Sequence, residues 1–91
     1  MRAIPKITAV TNPLFAAGTS ALSDNRNHDA IDTYSEADEK YQNNPETAAR
    51  RIVAAALRGK GLALARLDRF DEAIATFEMI DARYGSDTAP A

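Results

Sequence analysis

The chain has 91 residues, a net charge of −2, a hydrophobic fraction of 45% and no cysteine. That length holds one small domain with little stability to spare. Disulfides and cysteine-based zinc sites are excluded, no apolar run reaches membrane-spanning length, and the acidic balance carries no nucleic-acid footprint.

Residues 1–11 read as an irregular segment. Arg2 and the small residues that follow invite a signal-peptide reading. Pro5, Lys6, Thr11, Asn12 and Pro13 break the apolar core such a peptide needs, so a cytoplasmic location is the expectation. Asn12 as N-cap and Pro13 at the first helical position then open a helix over "NPLFAAGTSALS". A short turn, "DNRNH", leads to a second helix with an apolar stripe of Ala30, Ile31, Tyr34, Ala37 and Tyr41. It stops at "QNNP". A long Ala- and Leu-rich helix is expected over 45–67, with Asn44 as cap and Pro45 in the first turn. Gly59 and Gly61 inside it each cost about 1 kcal/mol against Ala, which points to close approach of a neighbouring helix. After "DRF", the last helix carries Phe70, Ala73, Ile74, Phe77, Ile80 and Tyr84 at helical spacing. Asp71 and Glu72 suit its first turn and Arg83 its last. Gly85 is expected just past its end. Ile74, Phe77 and Ile80 are expected to face the preceding helix, with Ala73 and Ala82 on an open side.

The second and fourth segments echo one another at an offset of 43 residues. That offset aligns Leu14 with Leu57, Gly18 with Gly61, Arg26 with Arg69 and Ala30-Ile31 with Ala73-Ile74. It continues with Tyr34 on Phe77, Asp38 on Asp81 and Tyr41 on Tyr84. Short links favour antiparallel hairpins, so the unit is a helix–turn–helix present twice, over 12–44 and 45–87, with a tail at 88–91. This pattern resembles the tetratricopeptide repeat, whose hairpin is 34 residues long. Leu57, Gly61, Leu64, Ala73, Phe77 and Ile80 fall at its signature spacings. Leu14, Gly18, Ala21, Ala30, Tyr34 and Ala37 do so in the first copy. Lys60 departs from an expected Leu, the closing proline is missing at Gly85, and "PETAARRIV" lengthens the first helix, as in bacterial long-helix variants. The resemblance implies an all-α chain in which antiparallel hairpins stack as a short right-handed α-solenoid.

No catalytic constellation is legible. "RGKGLA" lacks both the strand and the Lys-Ser/Thr step of a phosphate loop, so its glycines read as packing residues. His28, the one histidine, lies in a polar turn without the partners that a metal or a catalytic base requires. The pairs Asp38/Glu39 and Asp71/Glu72 are adjacent in sequence and diverge on a helix. Met79 reads as core filler or an interface residue. The expectation is a non-enzyme without cofactor or metal.

Charge is unevenly placed. Residues 50–69 hold six basic side chains against Asp68, and residues 29–46 hold six acidic ones against Lys40. These segments either attract one another within the fold or leave a basic surface for an acidic partner. In the resembled family the first helix of each hairpin lines the binding groove. The matching positions include Phe15, Thr19, Ala55, Arg58, Leu62 and Arg66. Arg58, Leu62 and Arg66 share a helix face. Phe15 and Leu62 also fit a plain core role. The family's carboxylate clamp is not recognisable, because Phe15 stands where a polar residue is needed and no third copy exists. The implied function is a protein–protein interaction module whose partner is a protein or an acidic peptide. The alternative is nucleic-acid binding through the basic helix 50–69, against which the net acidity stands. Two repeats leave faces uncovered, so the chain is either part of a longer array or self-associates, with a two-fold dimer expected.

Overall fold

Asn12 opens the first described helix. In the computed structural model, which describes residues 12–88 (and the side chains only as far as Gly85), its side chain accepts a hydrogen bond from Phe15 N at 2.9 Å. Pro13 follows at the first position of α1, Pro13–Ser23. The Asn12 amide also donates to the Tyr41 hydroxyl at 2.8 Å, tying the start of α1 to the end of α2, Asn27–Tyr41. The remaining helices are α3, Thr47–Arg66, and α4, Phe70–Thr88. Among the described residues all regular structure is helical. Expectations for 1–11 and for the tail beyond Thr88 fall outside the described residues.

Two boundaries differ from the sequence reading. α3 begins two residues late, with Glu46 as N-cap. Asn44 does not cap the helix; its Oδ1 accepts from Glu46 N at 2.9 Å and shapes the turn ahead of it. Nor does α4 stop at Gly85, which is helical with no positive φ, so Arg83 is not in the last turn.

Each helix packs on its neighbours in sequence, and α1 also touches α3. One core cluster joins Ala21, Ala30, Ile31, Tyr34, Ala56, Ala63, Leu64 and Ala73. A second joins Val53, Ala54, Leu57 and Tyr84, with Tyr41, Met79 and Ile80 packed against it. Met79 therefore contributes to the core. The glycines explain how helices come this close. A Cβ on Gly18 would lie 2.5 Å from the Tyr34 ring, one on Gly59 2.3 Å from its other edge, and one on Gly61 2.6 Å from Phe77. Tyr34, 2% exposed, is thus wedged between α1 and α3.

The turns inside the two hairpins are built alike, 43 residues apart. Asn25 and Asp68 have φ of 64° and 60°. Arg26 N donates to Ala21 O at 2.8 Å, and Arg69 N to Leu64 O at 2.9 Å. Asn25 N donates to Leu22 O at 3.1 Å, and Asp68 N to Ala65 O at 3.0 Å. This pairing of bonds around a left-handed residue closes both first helices as Schellman motifs. Asn and Asp tolerate that conformation better than other non-glycine residues. Beyond the turn, Arg26 pairs with Asp29 at 3.2 Å and Arg69 with Glu72 at 2.7 Å. The hydrogen bond from Arg69, and then its charge, hold the exposed Glu72 carboxyl below its usual range. That pair's contribution is present above the normal carboxylate pKa and is lost as pH falls through the depressed one.

The apolar face of α4 is in part the expected one: Phe77 packs on Gly61 and Ile80 on the second core cluster, but Ile74 does not face α3 and Ala73 is not on the open side. Ala73, Thr76 and Tyr84 are buried, while Ile74 and Phe77 are 55% and 43% exposed. Tyr34 and Ile31, their counterparts on α2, are buried because α2 is covered by both α1 and α3, whereas α4 packs on α3 alone. The acidic and basic segments do not pair extensively either. The described ion pairs include Arg83–Asp38 at 2.6 Å, which links α4 to α2, but none joins 50–69 to 29–46. Burial works against the Arg83 charge, yet the hydrogen bond and charge of Asp38 prevail and its pKa is raised.

Two opposite glycine effects are expected in urea denaturation. Gly59→Ala pushes a Cβ into a ring already backed by Gly18; the overpacking cost of about 1–3 kcal/mol outweighs the helix-propensity gain. Gly85→Ala meets only the exposed Asp81 carboxylate, at 3.1 Å, and stabilises by about 0.5–1 kcal/mol. In thermal unfolding, Asp68→Gly is expected to raise Tm by about 2–6 °C by relieving the left-handed residue; an unchanged or lower Tm contradicts this account of the turn.

Candidate protein-binding surface

Arg58, Leu62 and Arg66 lie along one exposed edge of α3, four residues apart, as the spacing requires. Leu62 is 43% exposed, so it is a surface residue and not plain core. Ala55, one turn earlier, is half-buried. Phe15 and Thr19 approach from α1, and both are organised by Tyr34. The Phe15 and Tyr34 rings stand 6.0 Å apart and tilted, and Phe15 packs against the first core cluster. Thr19 Oγ1 lies 3.0 Å from the Tyr34 hydroxyl. The same hydroxyl would lie 2.9 Å from a Cβ at Gly59, so the tip of Tyr34 occupies the seam between α1 and α3.

These six positions are not equivalent. Phe15 is largely a core residue, and Thr19 spends its hydroxyl on Tyr34. Arg66 crosses from α3 to α1, where Nη1 donates to Leu22 O at 2.8 Å and approaches Asn25 Oδ1 at 3.5 Å. Leu22 lies in the last turn of α1, where carbonyls carry the negative end of the helix dipole. Arg66 thereby pins the two first helices together. Arg58 and Leu62 remain as the exposed pair, a guanidinium beside an apolar side chain. A guanidinium offers planar donors suited to a carboxylate, and Leu62 offers a contact for a neighbouring apolar group.

Sequence reasoning missed the Tyr34 hydroxyl in this seam. The signal was present: Gly59 and Gly18 leave space for one large side chain, and Tyr34 is the aromatic at the right place on the helix between them. Sequence reasoning expected an open side on α4 and placed Ala73 and Ala82 there; Ala82 is exposed, but Ala73 is buried and Ile74 is exposed in its stead. His28 is exposed in the first turn of α2. Among the described residues, no group of three or more His, Cys, Asp or Glu is placed to hold a metal ion. No described helix is long and apolar enough to cross a membrane.

No family model, curated protein or solved structure matches the chain.

The two arginines are expected to separate in stability measurements. Arg66→Ala removes a charged donor from a helix-end carbonyl and costs about 0.5–1.5 kcal/mol. Arg58→Ala changes stability by less than about 0.5 kcal/mol. Equal losses in the two variants would contradict the division of roles.

Proposed function

We propose that the chain is a non-enzymatic protein-interaction module of tetratricopeptide-like type, cytoplasmic and self-associating, in which two hairpins stack as a short α-solenoid. The observation that carries this reading is the repeated glycine–aromatic wedge, Gly18 on Tyr34 and Gly61 on Phe77, at the same 43-residue offset as the two left-handed turns. Stacked helical hairpins present the edges of their first helices as an extended groove. Here that edge offers Arg58 and Leu62, flanked by Thr19, Ala55 and Phe15, with Arg66 at its end. An acidic or carboxy-terminal peptide with one apolar side chain fits this chemistry.

The test is a fluorescence anisotropy titration with short labelled peptides that carry a free C-terminus, a neighbouring Leu or Ile, and Asp or Glu. Binding is expected to weaken about tenfold in Arg58→Glu, in line with the loss of a charge-assisted contact and its replacement by repulsion. It is expected to fall with added salt. Equal binding by wild type and Arg58→Glu, or no binding of any acidic peptide, overturns the groove reading. Salt-dependent retardation of duplex DNA would favour the basic α3 as a nucleic-acid surface instead.

A further inference from the structure

The two ends of the fold carry the two halves of its own internal junction. Inside the chain, α3 covers α2. It does so with small residues, Ala56, Gly59 and Ala63, at steps of three and four, and it leaves Ile31 9% and Tyr34 2% exposed. Moving each position by the 43-residue offset gives the groups at the two ends. On α4 the counterparts of Ile31 and Tyr34 are Ile74 and Phe77, which are 55% and 43% exposed. On α1 the counterparts of Ala56, Gly59 and Ala63 are Pro13, Ala16 and Ser20, which are small and exposed. So α4 is a covered-type face without its cover, and α1 presents a cover-type face.

Charge supplies an independent match. The junction between hairpins is bridged by Asp38 on α2 and Arg83 on α4, at 2.6 Å. The counterparts of this pair are Asp81 and Lys40, again acid against base, and both are exposed. A second copy placed on α4 in the register of the internal junction sets its Lys40 against Asp81, where a like charge would repel.

We propose that the open face of α4 receives α1 of a second copy of this chain, so that copies stack head to tail in the geometry that places α3 on α2. The proposal rests on the self-association part of the function above and replaces the expected two-fold dimer with a heterologous contact, which adds copies without closing after two. One departure sets its strength. Ala16 stands where the internal junction has Gly59, and a Cβ there would crowd a ring in Tyr34's place. Phe77 lacks the hydroxyl and is partly exposed, so it has room to tilt, and the contact between copies is looser than the one within the chain.

Sedimentation velocity on the full chain from about 10 μM to 1 mM tests this, that window spanning the weak end of specific association. The expected result is a weight-average mass that rises with concentration and passes the dimer value. Ile74→Glu and Ala16→Glu, with helicity checked by circular dichroism, are each expected to be monomeric. An equimolar mixture of the two is expected to form a 1:1 dimer that grows no further, through the one intact face of each. Ala16→Gly is expected to strengthen association. Asp81→Lys is expected to weaken it about fivefold, and adding Lys40→Asp to restore it. Self-association of Ala16→Glu at the wild-type level, or failure of the mixture to dimerise, overturns the stacking and leaves a two-fold dimer. A wild-type monomer throughout overturns self-association as well. Neither result bears on the peptide titration, which reads Arg58 on a different edge.

Discussion

The fold depends on the width of one aromatic ring. Tyr34 lies flat enough between α1 and α3 that only glycine is accommodated at the two points where those helices press on it, Gly18 and Gly59. The ring therefore sets the separation of three helices at once. Its hydroxyl is not left in an apolar seam without a partner, since Thr19 stands 3.0 Å away. Glycine in a helix interior is unfavourable, so the sequence gives up local helix stability to gain this approach. Interiors packed to this density respond to the addition of a single carbon.

Around that wedge, polar contacts fix the register. Asn12 caps α1 and holds Tyr41; Arg66 reaches the last turn of α1; Arg83 reaches Asp38. Each connects an element to one that is adjacent in space and far apart in sequence. None lies deep in the core, and each bond taken singly contributes modestly. Together they decide which face of each helix turns inward, a choice the Ala-rich surfaces of α1 and α3 leave loosely specified. The left-handed Asn25 and Asp68 do the same for the two hairpin turns, sending the chain back along the helix it has just left.

Helix number, order and pairing were legible in the sequence, because apolar spacing and the Asn12-Pro13 start are local signals. The 43-residue echo was legible for the same reason. The start of α3 was misplaced because Asn44-Pro45 is also a good turn, and the side chain of Asn44 closes that turn before the helix begins. The end of α4 was misplaced because Gly85 permits a left-handed residue without requiring one. The facing of α4 was legible only in part. A stripe of Ala73, Ile74, Phe77 and Ile80 spans two adjacent faces, and the larger side chains were assigned to the nearest partner. In the structure Ala73 and Thr76 are buried and Phe77 and Ile80 reach α3, while Ile74 looks outward. Of the candidate surface, the face shared by Arg58, Leu62 and Arg66 was legible from spacing. The engagement of Arg66 with Leu22 was not, because it depends on how two helices cross.

The order of helix contacts has a kinetic and dynamic consequence. Apart from α1 on α3 and the Arg83–Asp38 pair between α4 and α2, each helix packs only on the helix before and the helix after it. The loops to be closed are short, which lowers the entropic barrier to forming each contact and favours rapid folding. Such a chain of neighbours also opens unevenly. Amide hydrogens in the middle of α2 and α3, held from two sides, exchange through opening of the whole domain. Those of α4, held from one side, exchange through a smaller release that leaves the first three helices in place.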